Sequence, residues 1–464
     1  MNDFRRLRAP AGDGDRLIVP TMAEVPALIE ANRNRFDSSP VRIDGRRLAD
    51  VRRAARQELA PHADPSKPLL LTGHQPELCH PGVWLKSFEI DRLAGSLGGN
   101  ALNLVVDTDD IKSTSIRVPR FSHDPALVRA EMIAFDTGPT ETPYESRTIQ
   151  DHDLFRSFGE RAGIDPDLWS VAVGSEGRIA ERFVAMRTHR EASWGCALPN
   201  LWVSRISRSE AFGAFARHLL ADLPRFAAVH NQAVQRYRRA ARLRSRTHPV
   251  PELQPGEAPF WVVQDGRRQA ATPASGIGSL RPRALTLTLF ARLVLGDWFV
   301  HGLGGGKYDA VTDDITREFF GIEPPAFQVV TGTLRLPFPV FDDADPTTII
   351  HRLRDVAQNP QRYLEDDESH IRAMVRQLNE RIAETPPTKT GRKERRETIN
   401  RLKGMLRSRT VATGDRLADE RDDRGRRTQA NAILTRRDYA WPLFPSELLR
   451  PFFSVSLPGP PGST

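Results

Sequence analysis

Apolar and polar positions recur with more than one period along the chain, and the changes of period divide it into unlike segments with no internal repeat. In LADVRRAARQEL, Leu48, Val51, Ala55 and Leu59 return three or four residues apart, which predicts a helix over 48–59. The prolines of PHADPSKP stop it. The run Leu69, Leu70, Leu71 then reads as a buried strand, and a Gly/His/Pro-rich turn from Gly73 to Gly82 leads into a helix from about Val83 to Leu97. After GGN, a second apolar run, Ala101 to Val106, ends in Asp107. Strand, loop, helix and strand in that order form the βαβ unit of a parallel sheet, so the fold class is α/β.

Residues 120–200 carry no clean period and predict a mixture of short helices and strands. A long helical pattern begins near Ser209, breaks at Pro224, and resumes through an arginine-rich stretch until the prolines of HPVPELQPGEAP end it. FWVV, from Phe260 to Val263, reads as a strand entering an Asp-Gly turn, and a strand or buried helix with a glycine loop follows between Leu285 and Gly306. Ile371, Met374, Leu378 and Ile382, then Ile399, Leu402 and Leu406, recur at the spacing of an antiparallel helical hairpin. These patterns predict a core over 1–345 with inserted segments at about 120–270, a hairpin or coiled coil over 346–435, and a closing segment over 436–464. AWPLFPSELLRPFF is apolar enough to pack back on the core, whereas PGPPGST should fray.

Composition narrows the class. With 39% hydrophobic and 27% charged residues among 464, the chain can bury a core and is neither disordered nor collagen-like. The start MNDFRRLRAP lacks an apolar signal core, and no apolar run reaches the roughly 20 residues of a membrane span. Together with only two cysteines, Cys79 and Cys196, this predicts a cytoplasmic protein with reduced thiols and no membrane partner. The formal charge of +8 comes from 67 Lys and Arg against 59 Asp and Glu. Only seven of these cations are lysines.

Three of the seven, Lys86, Lys112 and Lys307, fall in the three segments that can carry chemistry. The first segment is the strand-to-helix loop from Gly73 to Gly82, where backbone donors and a helix N-terminus suit an anion. His74 and His80 there could stabilise charge on a transferred phosphoryl or adenylyl group, or simply cap the helix. Their spacing with Cys79 matches no zinc pattern, so no metal is assigned to it. The second is Asp107-Thr108-Asp109-Asp110-Ile111-Lys112, whose carboxylates can orient an amine, act as a base or hold Mg²⁺ through water. The third is the run His301 to Asp309, followed by Asp313 and Asp314. There Gly304, Gly305 and Gly306 allow close approach of backbone amides and Lys307 adds charge, although the Walker A spacing is absent. Arg281, in Arg281-Pro282-Arg283, could clamp a carboxylate or phosphate. Arg236, Arg238, Arg239, Arg242, Arg244 and Arg246 form a basic stretch that could bind nucleic acid, but a solvated helix face is the expectation.

Several ordered segments resemble the bacillithiol-biosynthesis cysteine-adding ligase (BshC) family. LTGHQPELCHPGVWLKSFEIDRLA is similar to that family's strand, GQQ-type loop and helix, and LNLVVDTDDIKS to its strand with an acidic end. HPVPELQPGEAPFWVVQDGRR resembles its short strand and turn. SLRPRALTLTLFARLVLGDWFVHGLGGGKYDAVTDDITREFFGIEPP resembles its RP-initiated segment, glycine loop and following helix. The resemblance implies a Rossmann-like, nucleotidylyl-transferase-like core with inserted connecting segments and a C-terminal coiled coil. It also implies a reaction that joins cysteine to the amine of glucosaminyl-malate, with His74, Gln75, Asp107, Asp110 and Gly304 to Gly306 around the crevice. Three departures fall in that crevice: His74 stands where the family has its first Gln, Pro81-Gly82 replaces Gly-Pro, and GLGGGKYD replaces a GGPGE-type turn.

The expectation is therefore a ligase-like enzyme joining an amino acid to a small amine, with carboxylate activation by ATP and Mg²⁺ as the natural chemistry. His74 and His80 would stabilise charge, Asp107 or Asp110 would orient the amine or Mg²⁺, and Gly73, Gln75, Lys86, Lys112, Arg281 and Lys307 would bind substrate or phosphate. A nucleotidyltransferase on another small molecule and a non-catalytic nucleic-acid-binding protein are the alternatives. A monomer and a homodimer joined through the hairpin are both open.

Overall fold

The structure is a computed structural model that describes residues 4–243, 250–342, 344–364 and 369–454. The chain forms two compact units. One comprises Met1–Val118, Met132–Leu336 and Arg437–Thr464, the other Pro119–Glu131 and Pro337–Arg436.

The larger unit is mixed α/β around a six-stranded sheet. Its strands are β1 (Arg16–Val19), β2 (Leu69–His74), β3 (Asn100–Val105), β4 (Asn200–Trp202), β5 (Trp298–His301) and β6 (Gln328–Gly332), in the order β1-β6-β5-β2-β3-β4. All neighbours pair parallel except β1, which runs antiparallel to β6 at one edge. Leu69, Leu70 and Leu71 are almost fully buried, as a strand covered on both faces requires. Helix α1 (Val25–Ser38) and helix α2 (Leu48–Leu59) precede β2. In α2 the buried positions are Leu48, Val51, Arg52, Ala55 and Leu59, the face read from the periodicity together with one arginine.

Helix α3 (Pro81–Leu97) links β2 to β3. Pro81 opens it, where a missing amide costs nothing, and Gly98 closes it at φ 57°, a conformation that favours glycine. Helix α4 (Leu303–Glu318) links β5 to β6. Since β2 leads to one side of the sheet and β5 to the other, their carboxyl ends flank a topological switch point.

The predicted strand at Phe260 spans Phe260–Gln264 and turns back through Asp265 and Gly266, both at positive φ, into Arg267–Ala270. That is the backbone an Asp-Gly hairpin turn requires. The closing segment contributes Trp441, whose ring lies 4.4 Å from Trp84, and Phe453, stacked 4.3 Å from Phe88.

The glycine loop expected after residue 301 is corrected to a helix start. Gly302 is the N-cap and Leu303, Gly304, Gly305 and Gly306 form the first turn of α4. A Cβ on Gly306 would lie 2.3 Å from Val329 Cγ2, so close packing of α4 on β6 accounts for that glycine. The basic helix is also shorter than expected, ending at Ala240, and Arg244 and Arg246 lie outside the described residues. So does the PGPPGST end.

In the smaller unit, α5 (Thr347–Gln358), α6 (Ser369–Glu384) and α7 (Lys389–Leu434) are helical. Ile371, Val375, Leu402 and Leu406 share one buried cluster there.

Candidate functional site

Backbone pairing sets the site. His74 ends β2 opposite Val105 of β3, and Val106 N donates to His74 O at 3.0 Å, so the histidine loop and the acidic loop start side by side. Gln75 Nε2 then donates to Asp109 Oδ2 at 2.7 Å and ties the two loops together.

A cleft of about 40 Å³ opens at the end of β2, lined by His74, Gln75, Glu77, Cys79, Lys86 and Arg187 among others. At roughly 10–15 Å³ for each water, that interior admits a carboxylate-sized group. Lys86 projects from the second turn of α3; it is 5% exposed, and its Nζ donates to Gly73 O at 2.7 Å. Burial, reinforced by Arg187, pulls its ammonium down to about 8, while the Cys79 sulfur acts the other way. Arg187 is anchored by Glu191 Oε1 at 2.7 Å and by Asn200.

His74 is held neutral. Burial lowers its pKa well below the ordinary value, and the Lys86 charge adds to the effect. Its Nδ1 lies 3.1 Å from Gln75 O, which can only accept, so Nδ1 carries the hydrogen and Nε2 keeps the lone pair. Burial raises the Glu77 carboxyl, with Lys112 opposing and Asp109 adding. Cys79 is pushed up to about 12 by burial and Glu77, so it is a thiol at neutral pH, unsuited to act as a thiolate nucleophile.

His80 has a different part. Its Nδ1 accepts from Gly82 N at 3.1 Å and caps α3. Burial, with Arg437, lowers it to about 4. Lys112 is exposed and acts on His74 and Glu77 through its charge alone.

In the acidic loop Asp107 is fully buried, and its Oδ1 accepts from Ser204 N at 2.9 Å. Arg268 pairs with Asp109 Oδ1 at 2.6 Å and Asp110 Oδ2 at 2.8 Å. Among the described residues, two buried oxygens of this loop have no hydrogen-bond partner, Asp107 Oδ2 and Asp110 Oδ1. Both atoms are closed off from solvent, so neither faces a ligand as the loop stands. Burial raises the Asp107 carboxyl, Ser204 opposing it. Among the described residues no group of three or more His, Cys, Asp or Glu side chains is placed to hold a metal ion.

Neither Asp107 nor Lys307 lines the cleft at His74. Lys307 is partly exposed and makes no hydrogen bond or ion pair among the described residues. Arg281 is a correction: it already clamps an internal carboxylate, Glu145, through Nε at 2.7 Å and an amino group at 3.0 Å. The glycine run offers only the free amides of a helix start, since Gly306 N already bonds Gly302 O.

No protein-family model matches the chain, and no curated protein does. Among solved structures, tryptophanyl-tRNA synthetase of Plasmodium falciparum aligns over 91% of this chain and 97% of that chain, at 10% identity and a TM-score of 0.24. A likeness at that level carries no argument about fold or function, so the site rests on its own geometry. Among the described residues no helix is long and apolar enough to cross a membrane.

Glu77, Asp109, Arg187 and Arg268 are the site residues that motif reading left out. Glu77 stood inside a quoted segment without a role, and Asp109 only as one carboxylate of its cluster. Arg187 and Arg268 come from distant segments in an arginine-rich chain and carry no local signal.

Proposed function

We propose that this chain is an enzyme that joins an amino acid to a small amine through an amide bond at the carboxyl ends of β2 and β3. The observation that carries the reading is a pairing of opposite recognition groups. Lys86 lies in a carboxylate-sized cleft, and Glu77, a partly exposed carboxylate, lines the same cleft. A buried cation suits a carboxylate or its activated ester, and a carboxylate in the same cleft suits an ammonium group.

In the proposed sequence the amino-acid carboxylate attacks the α-phosphorus of ATP, forming the acyl adenylate and releasing pyrophosphate. The amine then attacks the acyl carbon, the C–O bond to AMP breaks, and the nitrogen gives up a proton. His74 Nε2, which keeps its lone pair, can accept it only in passing to solvent, because burial and Lys86 disfavour the imidazolium. Lys86 holds negative charge throughout. Glu77, which lines the same cleft, is the carboxylate placed to orient the amine. The resemblance to the cysteine-adding ligase family supports cysteine as the first acid to try.

The nucleic-acid alternative has less to stand on. Arg236 pairs with Asp314 at 3.0 Å and Glu318 at 2.5 Å, and Arg238 donates to Val250 O at 2.7 Å, so two of its arginines are engaged within the chain. ATP–pyrophosphate exchange across a panel of amino acids, cysteine included, tests the proposal. Exchange with one acid supports it, and absence of exchange with every acid refutes the adenylylation step.

A further inference from the structure

A cavity of about 570 Å³ lies at the opposite edge of the sheet, under the amino ends of β2 and β3, where Leu69, Asn100 and Asp297 contribute to its wall. Its size falls in the range of small-molecule sites, whereas the cleft at His74 admits only one small group. The proposed reaction makes no use of it.

Its charge is unbalanced by construction. Arg52 and Arg56, one turn apart on α2, both bond Asp297 Oδ1, at 2.7 and 2.6 Å, and Leu69 N takes Oδ2 at 2.9 Å. Asp297 thus accepts three hydrogen bonds, and two guanidinium groups face one carboxylate in a floor where Arg52 is 5% exposed. Burial, with Arg56 beside it, brings Arg52 down to about 9, against the pull of Asp297. A low-dielectric floor with an excess cation favours an anion above it.

The rim is mixed in charge. Arg33 from α1, Arg53 from α2 and Lys67 face the carboxylates of Asp37 and Asp64. Floor and rim together hold five cations and three carboxylates, and counting Asp50, the partner of Arg53, leaves a surplus of one positive charge. Arg33 spends one nitrogen on Ser66 O at 3.0 Å, and Arg53 reaches Asp50 at 3.1 Å on the solvent side. The planar forks of Arg33 and Arg53 suit phosphate oxygens. Pro61, Ala63 and Pro65 give the cavity an apolar wall beside the charge, while Phe36 is buried beneath the Arg52 guanidinium, 3.8 Å from its ring.

We infer that this cavity binds a small organic phosphomonoester: a dianion against Arg33, Arg53 and Lys67, with an apolar body on the wall of Pro61, Ala63 and Pro65. The site is independent of the ligase reading, because it shares no lining residue with the cleft at His74.

Isothermal titration of the full chain at low salt with phenyl phosphate, inorganic phosphate and benzoate tests it. Phenyl phosphate should bind 1:1 and at least tenfold more tightly than either of the others. The triple variant Arg33→Gln, Arg53→Gln, Lys67→Gln should weaken that binding at least tenfold, and Lys86→Met should leave it unchanged. If the triple variant does not fold, Arg53→Glu alone, at an exposed position, should weaken it at least threefold. No saturable binding, equal binding of benzoate, indifference to the rim substitutions, or loss in Lys86→Met would each overturn the inference.

Discussion

Two neighbouring side chains at the start of α3 show how position decides role. His80 and Lys86 both stood out beside the strand-end loop, but His80 spends its Nδ1 on the helix and Lys86 turns its charge into the cleft. His80 has a folded value of about 4 against an ordinary 6.5. As pH falls from 6.5 towards 4, the unfolded chain binds a proton that the folded chain refuses, so stability falls across that window. His80→Ala should flatten part of this acid slope and cost about 1 kcal/mol at neutral pH through the lost cap. Chemical denaturation from pH 4 to 7.5 reads both effects.

Lys86 titrates in the other range. Its folded value of about 8 lies below the ordinary 10.5, so above pH 8 the folded chain sheds a proton that the unfolded chain keeps. Stability should therefore rise with pH from about 8, and Lys86→Met should lose that rise. The comparison is cleanest between pH 8 and 9. Higher up, Cys79, raised to about 12 when folded, and Cys196, also raised by burial, act with the opposite sign. Denaturation midpoints of the two proteins that run parallel over this interval would contradict the assignment.

Among the elements, the β2-α3-β3 unit was the most legible. Its buried strands are continuous apolar runs, its helix opens on proline, and its loop contains the turn residues. The segment after Leu285 was not, because Leu289 to Leu295 are buried on every side and show no face from which to read a period. That segment is a short α-helix, Ala284–Leu289, followed by a π-helical stretch, Phe290–Leu295. The glycine run misled for a related reason. Glycine serves close packing as readily as ligand approach, and only the neighbour across the gap tells which. A methyl group on Gly304 would have no neighbour within 4 Å, whereas one on Gly306 would meet Val329 at 2.3 Å. Gly304→Ala should leave stability unchanged or raise it by up to about 0.5 kcal/mol, and Gly306→Ala should lower it by about 1–3 kcal/mol. Thermal melts of the two variants check the contrast.

For the whole molecule, the candidate site was half legible. His74, Gln75 and Lys86 follow from one strand-end loop, and Asp107 and Asp110 from the next. Arg187 reaches the cleft and Arg268 the acidic loop from segments that no local pattern links to them. Arg281 looked free in sequence because its partner, Glu145, lies 136 residues away. The same geometry separates the lysines that sequence had grouped: Lys86 lines the cleft, Lys112 acts from solvent, and Lys307 stands outside it. The central claim is that Lys86 holds the carboxylate being activated. ATP–pyrophosphate exchange with the best amino acid, measured on wild type, Lys86→Met and Lys307→Met, tests it most directly. The expected result is exchange in wild type, at least a hundredfold loss in Lys86→Met and less than a threefold change in Lys307→Met. Absence of exchange in wild type, or undiminished exchange in Lys86→Met, would contradict it.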